Sequence, residues 1–179
     1  MDLFENLETA ANNNIPQFFK KTVELYADGA CSVNPGPGGY AYILIYGEKQ
    51  KIASAGYRKT TNNRMELLGI IDGLKQLKYP CNVNIYTDSQ YVANAFNKNW
   101  LNKWKRQNWK RQKTEELKNV DLWKELYELS LKHNLKFHWI KGHSENELNK
   151  KCDELAVKAY KSENLLVDEN FEKEQENNG

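Results

Sequence analysis

The 179-residue sequence predicts an α/β fold: a five-stranded mixed sheet flanked by helices. Three observations predict it. Three segments of strand pattern follow one another before any helical period. Helical periods then separate each later strand from the one before. Gly-, Pro- and Asn-rich stretches mark the junctions. The order read is β-β-β-α-β-α-α-α-β-α. A helix between two strands favours a parallel crossover, so strands one, four and five are expected parallel and the first three antiparallel.

Each element has its own warrant. Thr22 to Asp28 alternates, with Val23, Leu25 and Ala27 on one face, the period of a strand. Asn34-Pro35-Gly36-Pro37-Gly38-Gly39 reads as a turn or loop. Tyr40 to Tyr46 and Lys51 to Arg58 form a hairpin about a short turn at Gly47-Glu48. From Asn63 to Leu77, residues Leu67, Ile70, Ile71, Leu74 and Leu77 share one helical face, and Pro80 ends the segment. Val83 to Thr87 is the fourth strand, and Ser89 to Phe96 a helix after it. Lys98 to Lys113 is basic and Trp-rich. Asn119 can cap a helix carrying Leu122, Leu126 and Leu129. Leu135 to Lys141 is the fifth strand, and a loop leads to a last helix over roughly Asn149 to Tyr160.

The ends differ from this body. Residues 1–20 read as an appendage, in which Asp2 and Glu5 could cap a short helix bearing Leu3, Phe4 and Leu7. From about Lys161 the chain is acidic and Asn/Glu-rich, the composition of a disordered tail. The expected organisation is therefore 1–20 appendage, 21–160 folded body and 161–179 acidic tail. Residues 1–19 carry −3 and residues 161–179 carry −4 of a total of +2, so the stretch between holds +9. A basic body points to an anionic partner, nucleic acid or an acidic lipid surface.

Several classes are excluded. No apolar run approaches the length of a membrane-spanning helix. The start, Met1-Asp2-Leu3-Phe4-Glu5, lacks the basic and apolar regions of a secretory signal. Cys31, Cys81 and Cys152 lie far apart with no C-x-x-C, the pattern of free thiols in a reducing cytoplasm and not of a zinc site or disulfide frame.

Two carboxylates stand out. Asp28 closes the first strand, in Tyr26-Ala27-Asp28-Gly29, and Asp88 closes the fourth, in Tyr86-Thr87-Asp88-Ser89. If these strands are parallel neighbours, both side chains project from one edge of the sheet, where open α/β sheets place ligands. Two carboxylates so close stay ionised cheaply only with a cation between them, and hard oxygen ligands favour Mg²⁺ or Mn²⁺. Either Asp alone could equally cap the helix that follows it. Glu66 and Asp153 each lie near the start of a helix, where an acid suits the dipole, and spacing singles out neither.

Five blocks carry a family resemblance. Asp28-Gly29 with Asn34-Pro35-Gly36-Pro37-Gly38-Gly39-Tyr40 resembles the opening of type 1 ribonuclease H, the bacterial-type enzyme. Thr60-Thr61-Asn62-Asn63-Arg64-Met65-Glu66-Leu67, Thr87-Asp88-Ser89-Gln90-Tyr91-Val92 and Lys118-Asn119-Val120-Asp121-Leu122-Trp123 resemble the next three blocks. Lys141-Gly142-His143 with Cys152-Asp153-Glu154-Leu155-Ala156 resembles the fifth. The match runs in order from about Thr22 to Tyr160 and implies a ribonuclease H-like fold.

The resemblance implies an endonuclease that cuts the RNA strand of RNA–DNA hybrids, leaving a 5′-phosphate and a 3′-hydroxyl. Asp28, Glu66, Asp88 and Asp153 match the family's metal-binding carboxylates, which hold two Mg²⁺ ions, with Mn²⁺ as the alternative, once substrate is bound. His143 matches a loop histidine able to pass protons near neutral pH or help product leave. Without the family match it reads as a solvated surface histidine. Asn34, Asn62, Asn63 and Gln90 match positions that face the minor groove. Lys59, Thr61 and Asn119 match a pocket for a phosphate of the DNA strand. Turn and cap roles for the asparagines are compatible with both duties.

Between Lys98 and Lys113 stand seven bases, no acid, and Trp100, Trp104 and Trp109. Trp100 and Trp104 are one helical turn apart. The segment reads as a solvated basic helix with its tryptophans turned inward, or as a substrate handle in which Lys105 and Arg106 meet phosphates and the aromatics pack on sugars. It resembles the family's basic protrusion, so the body is expected to bind hybrid as a monomer, without a separate binding domain or an obligatory protein partner. Two rivals remain at this level: another nuclease or transposase-like enzyme on the same fold, and a non-catalytic hybrid-binding module.

Overall fold

The computed structural model describes residues 21–112, 115–142 and 145–179. The N-terminal appendage of residues 1–20 and His143 lie outside the described residues. Five strands form one sheet: β1 (Thr22–Cys31), β2 (Gly36–Tyr46), β3 (Lys49–Thr60), β4 (Asn82–Thr87) and β5 (Asn134–Trp139), in the order β3-β2-β1-β4-β5. β1 and β2 pair antiparallel, as do β2 and β3, whereas β4 runs parallel to both β1 and β5. This is the mixed sheet the sequence predicts. The helices are α1 (Asn62–Lys75), α2 (Gln90–Asn97), α3 (Trp100–Arg106), α4 (Val120–Lys132), α5 (Glu147–Tyr160) and α6 (Glu169–Asn177).

The main core lies on one face of the sheet. Val23, Leu25 and Ala27 of β1 meet Leu67, Ile70, Ile71 and Leu74 of α1, and Leu122, Trp123 and Leu126 of α4 close the layer. Apart from Trp123 these are the periodic positions of the sequence, and all are buried, whereas Leu129, also expected on the apolar face of α4, is only partly so. The opposite face is covered by α5, whose Cys152 and Ala156 pack on Tyr26, Ala41 and Ile43. Gly39 permits this seat, since a Cβ there would stand 2.5 Å from the Ala156 carbonyl oxygen. Hence the Gly-Pro run expected to be only a loop is in part strand: Gly36 to Gly39 belong to β2, where glycine admits the helix backbone.

The acidic tail also departs from expectation. Residues 161–179 are not disordered among the described residues. Leu166 hydrogen-bonds along β3, its N–H donating to Gly56 O at 2.8 Å and its carbonyl accepting from Arg58 N at 2.9 Å. Asp168 and Phe171 are buried, and α6 follows. The physical reason is that three anchor points suffice to hold a short segment whose average composition is polar.

Candidate active site

The site is assembled at the carboxyl edge of the parallel strands. Asp28 lies near the end of β1, and its Oδ1 accepts from the Gly29 N–H at 2.9 Å. Asp88 follows β4, between Thr87, whose Oγ1 accepts from Ser89 N at 3.1 Å, and Ser89, the N-cap of α2. Its carbonyl accepts from Trp139 Nε1 at 3.0 Å, tying it to β5. Glu66 comes from α1, which Thr61 starts by accepting from Arg64 N at 3.3 Å. Gly29 lets α1 approach, because a Cβ there would lie 2.5 Å from Glu66 N.

Carboxylate oxygens of Asp28, Glu66 and Asp88 lie within 4.8 Å of one another. Asp28 and Glu66 are buried, Asp88 is half-buried, and Asp153 of α5 stands exposed on the rim. All four line one cleft of about 340 Å³, together with Asn62, Ser89 and Asn149. Burial, and then the charge of Asp88, push the Asp28 carboxyl up to about 7. Burial and Asp28 raise Glu66 well above the carboxylate range. Glu66 Oε2 is buried with no hydrogen-bond partner. A divalent cation answers each of these costs at once: it offsets the mutual repulsion, rewards the orphaned oxygen, and suits an all-oxygen donor set. The residues therefore fit a metal. Cysteine chemistry does not suit the site, since burial pushes the Cys31 thiol up to about 11 and the Cys152 thiol up to about 12.

Of the expected contact residues, Asn62 lines this cleft, whereas Asn34, Thr61, Asn63 and Asn119 line a neighbouring one that shares Asn62 with it. Asn34 Oδ1 accepts from Asn62 N at 2.8 Å, joining the β1–β2 loop to the head of α1. Asn62 and Asn63 occupy the first turn of α1, Lys59 is exposed at the end of β3, and Gln90 is exposed at the start of α2. Asn119 precedes α4 with φ 59°, and its side chain makes no cap bond. Its Nδ2 donates to Tyr91 Oη at 3.2 Å instead, which corrects the capping expectation. Tyr91 Oη also accepts from Trp123 Nε1 at 2.9 Å, so this network fixes Asn119 to the core.

The basic segment is split in role. Lys105 and Arg106 are exposed and Trp100 is half-buried, with Lys98 Nζ 5.5 Å above its ring. Trp109 is half-buried against Tyr127, 5.6 Å away edge-on. Trp104 is nearly buried, its ring 5.1 Å from that of Trp123, so it serves chiefly as the root of α3 and not as a free stacking surface. Asn149 escaped sequence reasoning. It is buried on the wall of the cleft with Oδ1 unpaired, and its signal was its place four residues before Asp153 on one helical face.

An acidic cleft at the switch edge of a mixed sheet defines a class of α/β protein able to hold divalent ions for hydrolytic chemistry. Comparison with known proteins narrows this. The RNase H family model matches residues 20–161. The chain is 51% identical over 162 residues to a ribonuclease H of Desulforamulus reducens, covering 90% of this chain and 99% of that protein. It is 49% identical over 153 residues to a ribonuclease HI of Synechocystis, covering 85% and 96%. Among solved structures, LC9-RNase H1, a type 1 RNase H with the type 2 active-site motif, superposes with a TM-score of 0.70 at 27% identity, over 78% of this chain and 72% of that one. The chain belongs to the RNase H family, in its type 1, bacterial-type branch.

Proposed function

We propose that this chain hydrolyses the RNA strand of RNA–DNA hybrids at the cleft of Asp28, Glu66, Asp88 and Asp153, using two divalent ions, Mg²⁺ first. One observation carries the reading: carboxylates from β1, α1 and the end of β4 converge within 4.8 Å, with an unpaired buried oxygen among them. Asp28 is central, Asp88 and Glu66 hold the nucleophile side and the leaving side, and Asp153 completes the set. Ions held there would acidify a water for in-line attack and stabilise charge on the departing 3′ oxygen. The products are a 5′-phosphate and a 3′-hydroxyl.

The remaining residues place the substrate. Asn34, Asn62, Asn63 and Gln90 both donate and accept, which suits them to sugars, including the 2′-hydroxyl that distinguishes RNA from DNA. Thr61 and Asn119, with Lys59, grip a phosphate of the DNA strand. Trp100 and Trp109, with Lys105 and Arg106, form the handle. Trp104 supports them. His143 carries protons or speeds product release. The body works as a monomer in the cytoplasm, without an obligatory partner. Three free thiols support that compartment, and no helix among the described residues is long and apolar enough to cross a membrane.

The deciding assay incubates the chain with labelled uniform RNA–DNA hybrid, with and without Mg²⁺, beside RNA and DNA duplex controls. Metal-dependent cutting of the RNA strand of the hybrid alone is expected. Cutting of plain DNA duplex would favour the rival nuclease on this fold, and binding without cutting the non-catalytic module.

A further inference from the structure

The acidic tail ends beside the expected path of the substrate. Phe171, Glu174, Gln175 and Asn178 of the tail form one side of a cleft of about 560 Å³. The other side includes Thr61 and Asn119. This cleft shares Asn62 with the carboxylate cleft. It shares Asn63, Lys118 and Asn119 with the cleft under the basic handle, where Lys103 and Arg111 stand. Through these shared residues the three depressions adjoin one another between the acidic site and the handle, and α6 lines the one in between.

The tail is built in and not loosely laid. Leu166 is hydrogen-bonded to β3 on both sides, and Phe171 is buried with the Arg64 guanidinium 5.9 Å from its ring centre. Arg58 grips Glu172 through Nε at 2.8 Å and Nη2 at 2.6 Å. So fixed, α6 acts as a wall, and a competitor that must leave is the poorer description. Gln175 and Asn178 are exposed residues lining this cleft, and their side-chain amides form no hydrogen bond with other described residues, so their N–H groups are available to a ligand. Amide donors satisfy phosphate oxygens without adding charge.

We infer that α6 is part of the nucleic-acid interface and that Gln175 and Asn178 contact the backbone of the DNA strand of a bound hybrid. The inference rests on the functional reading above, which places a DNA phosphate at Thr61 and Asn119 across the same cleft. Glu174 on this wall opposes the strand by its charge and moderates the grip.

The test uses the full chain and uniform hybrid at low salt. Gln175→Ala with Asn178→Ala raises KM about five- to tenfold, the cost of two lost hydrogen bonds, with kcat and the thermal midpoint unchanged. Glu174→Gln lowers KM, and Lys173→Ala, on the outer face, changes neither constant. A scan of single neutral methylphosphonate linkages then locates the contact: at one DNA-strand linkage the double variant and the unmodified chain become equal. An unchanged or lowered KM in the double variant overturns the role of α6 while leaving cleavage by the unmodified chain intact. Equality reached only at an RNA-strand linkage overturns the choice of strand. Absence of hybrid cleavage by the unmodified chain overturns the functional reading and this inference with it.

Discussion

Asp168 closes on Arg64 across 104 positions of chain, accepting from Nε on Oδ2 at 2.7 Å and from Nη2 on Oδ1 at 2.9 Å. Asp121 takes the other side of the same guanidinium at 2.9 and 2.7 Å, and Thr60 Oγ1 donates to Asp168 at 2.7 Å. Although burial opposes it, the Arg64 charge holds the Asp121 carboxyl below its usual range. Arg64 stands two positions before Glu66, so this clamp secures the turn of α1 that bears a site carboxylate.

Removing Asp168 leaves the buried Arg64 Nε and Thr60 Oγ1 donors without an acceptor, while Asp121 still faces the guanidinium. Asp168→Ala is expected to cost about 3–5 kcal/mol of folding free energy, read as a lower urea midpoint at unchanged slope. A loss under about 1 kcal/mol would show that the tail contributes little to the body.

Asp28→Asn keeps the shape of the central carboxyl and removes its charge. Cleavage is expected to fall at least about a thousandfold, a barrier increase of about 4 kcal/mol, while hybrid affinity stays within about twofold. Lost affinity with normal turnover would contradict the assignment.

Glu66→Gln separates repulsion from metal binding without any substrate. Free of metal, this variant should be at least as stable as the unmodified chain, because a carboxyl whose ionisation is opposed by burial and by Asp28 is replaced by a neutral amide. Added Mg²⁺ at about a hundred times its dissociation constant should stabilise the unmodified chain by about 2.7 kcal/mol and the variant far less. Calorimetric scans with MgCl₂ and with a chelator decide it, and equal gains in both proteins would remove Glu66 from the metal site.

His133 provides a pH dependence remote from the cleft. It is buried, its Nδ1 accepts from Cys81 N at 3.1 Å, and its Nε2 has no partner. Burial, assisted by Lys132, pushes its pKa down from 6.5 to about 4. The folded state therefore prefers the neutral ring, and the unfolded state binds more protons between these values. Stability should be full above pH about 6.5 and fall by roughly 2–3 kcal/mol as pH drops to about 4. His133→Gln, which can still accept from Cys81, should flatten that slope in urea melts, and a slope unaltered by the substitution would assign it elsewhere.

Lys105 and Arg106 test the handle through salt. Each neutralised phosphate contributes about −0.9 to the slope of log affinity against log salt. Lys105→Ala and Arg106→Ala should each flatten the slope by roughly that amount for hybrid binding. An unchanged slope in both would make the segment a solvated helix and no more.

The degree to which the molecule was legible varies by residue, for physical reasons. The strands and α1 were readable because alternation and helical period report burial directly, as Val23, Leu25 and Ile70 show. Asp28 and Asp88 were readable as a pair because each lies two positions beyond the last paired residues, Tyr26 and Tyr86, of two adjacent parallel strands. Glu66 and Asp153 stood out only through family resemblance, since an acid near a helix start has an ordinary explanation. Asn149, the near-burial of Trp104 and the diversion of Asn119 to Tyr91 depend on neighbours distant in sequence.

Local periodicity and residue chemistry by themselves determined the strands, their parallel and antiparallel parts, and the carboxylate pair of Asp28 and Asp88 suited to hard cations, while Glu66 and Asp153 joined it through the family resemblance. Only the tertiary structure decided that Asp28, Glu66 and Asp88 meet within 4.8 Å, and that the acidic tail turns back to bury Asp168 on Arg64. The reason is that secondary structure follows from neighbours along the chain, whereas these encounters are set by close packing between elements. A handful of long-range contacts outweighs the composition of the segment that makes them.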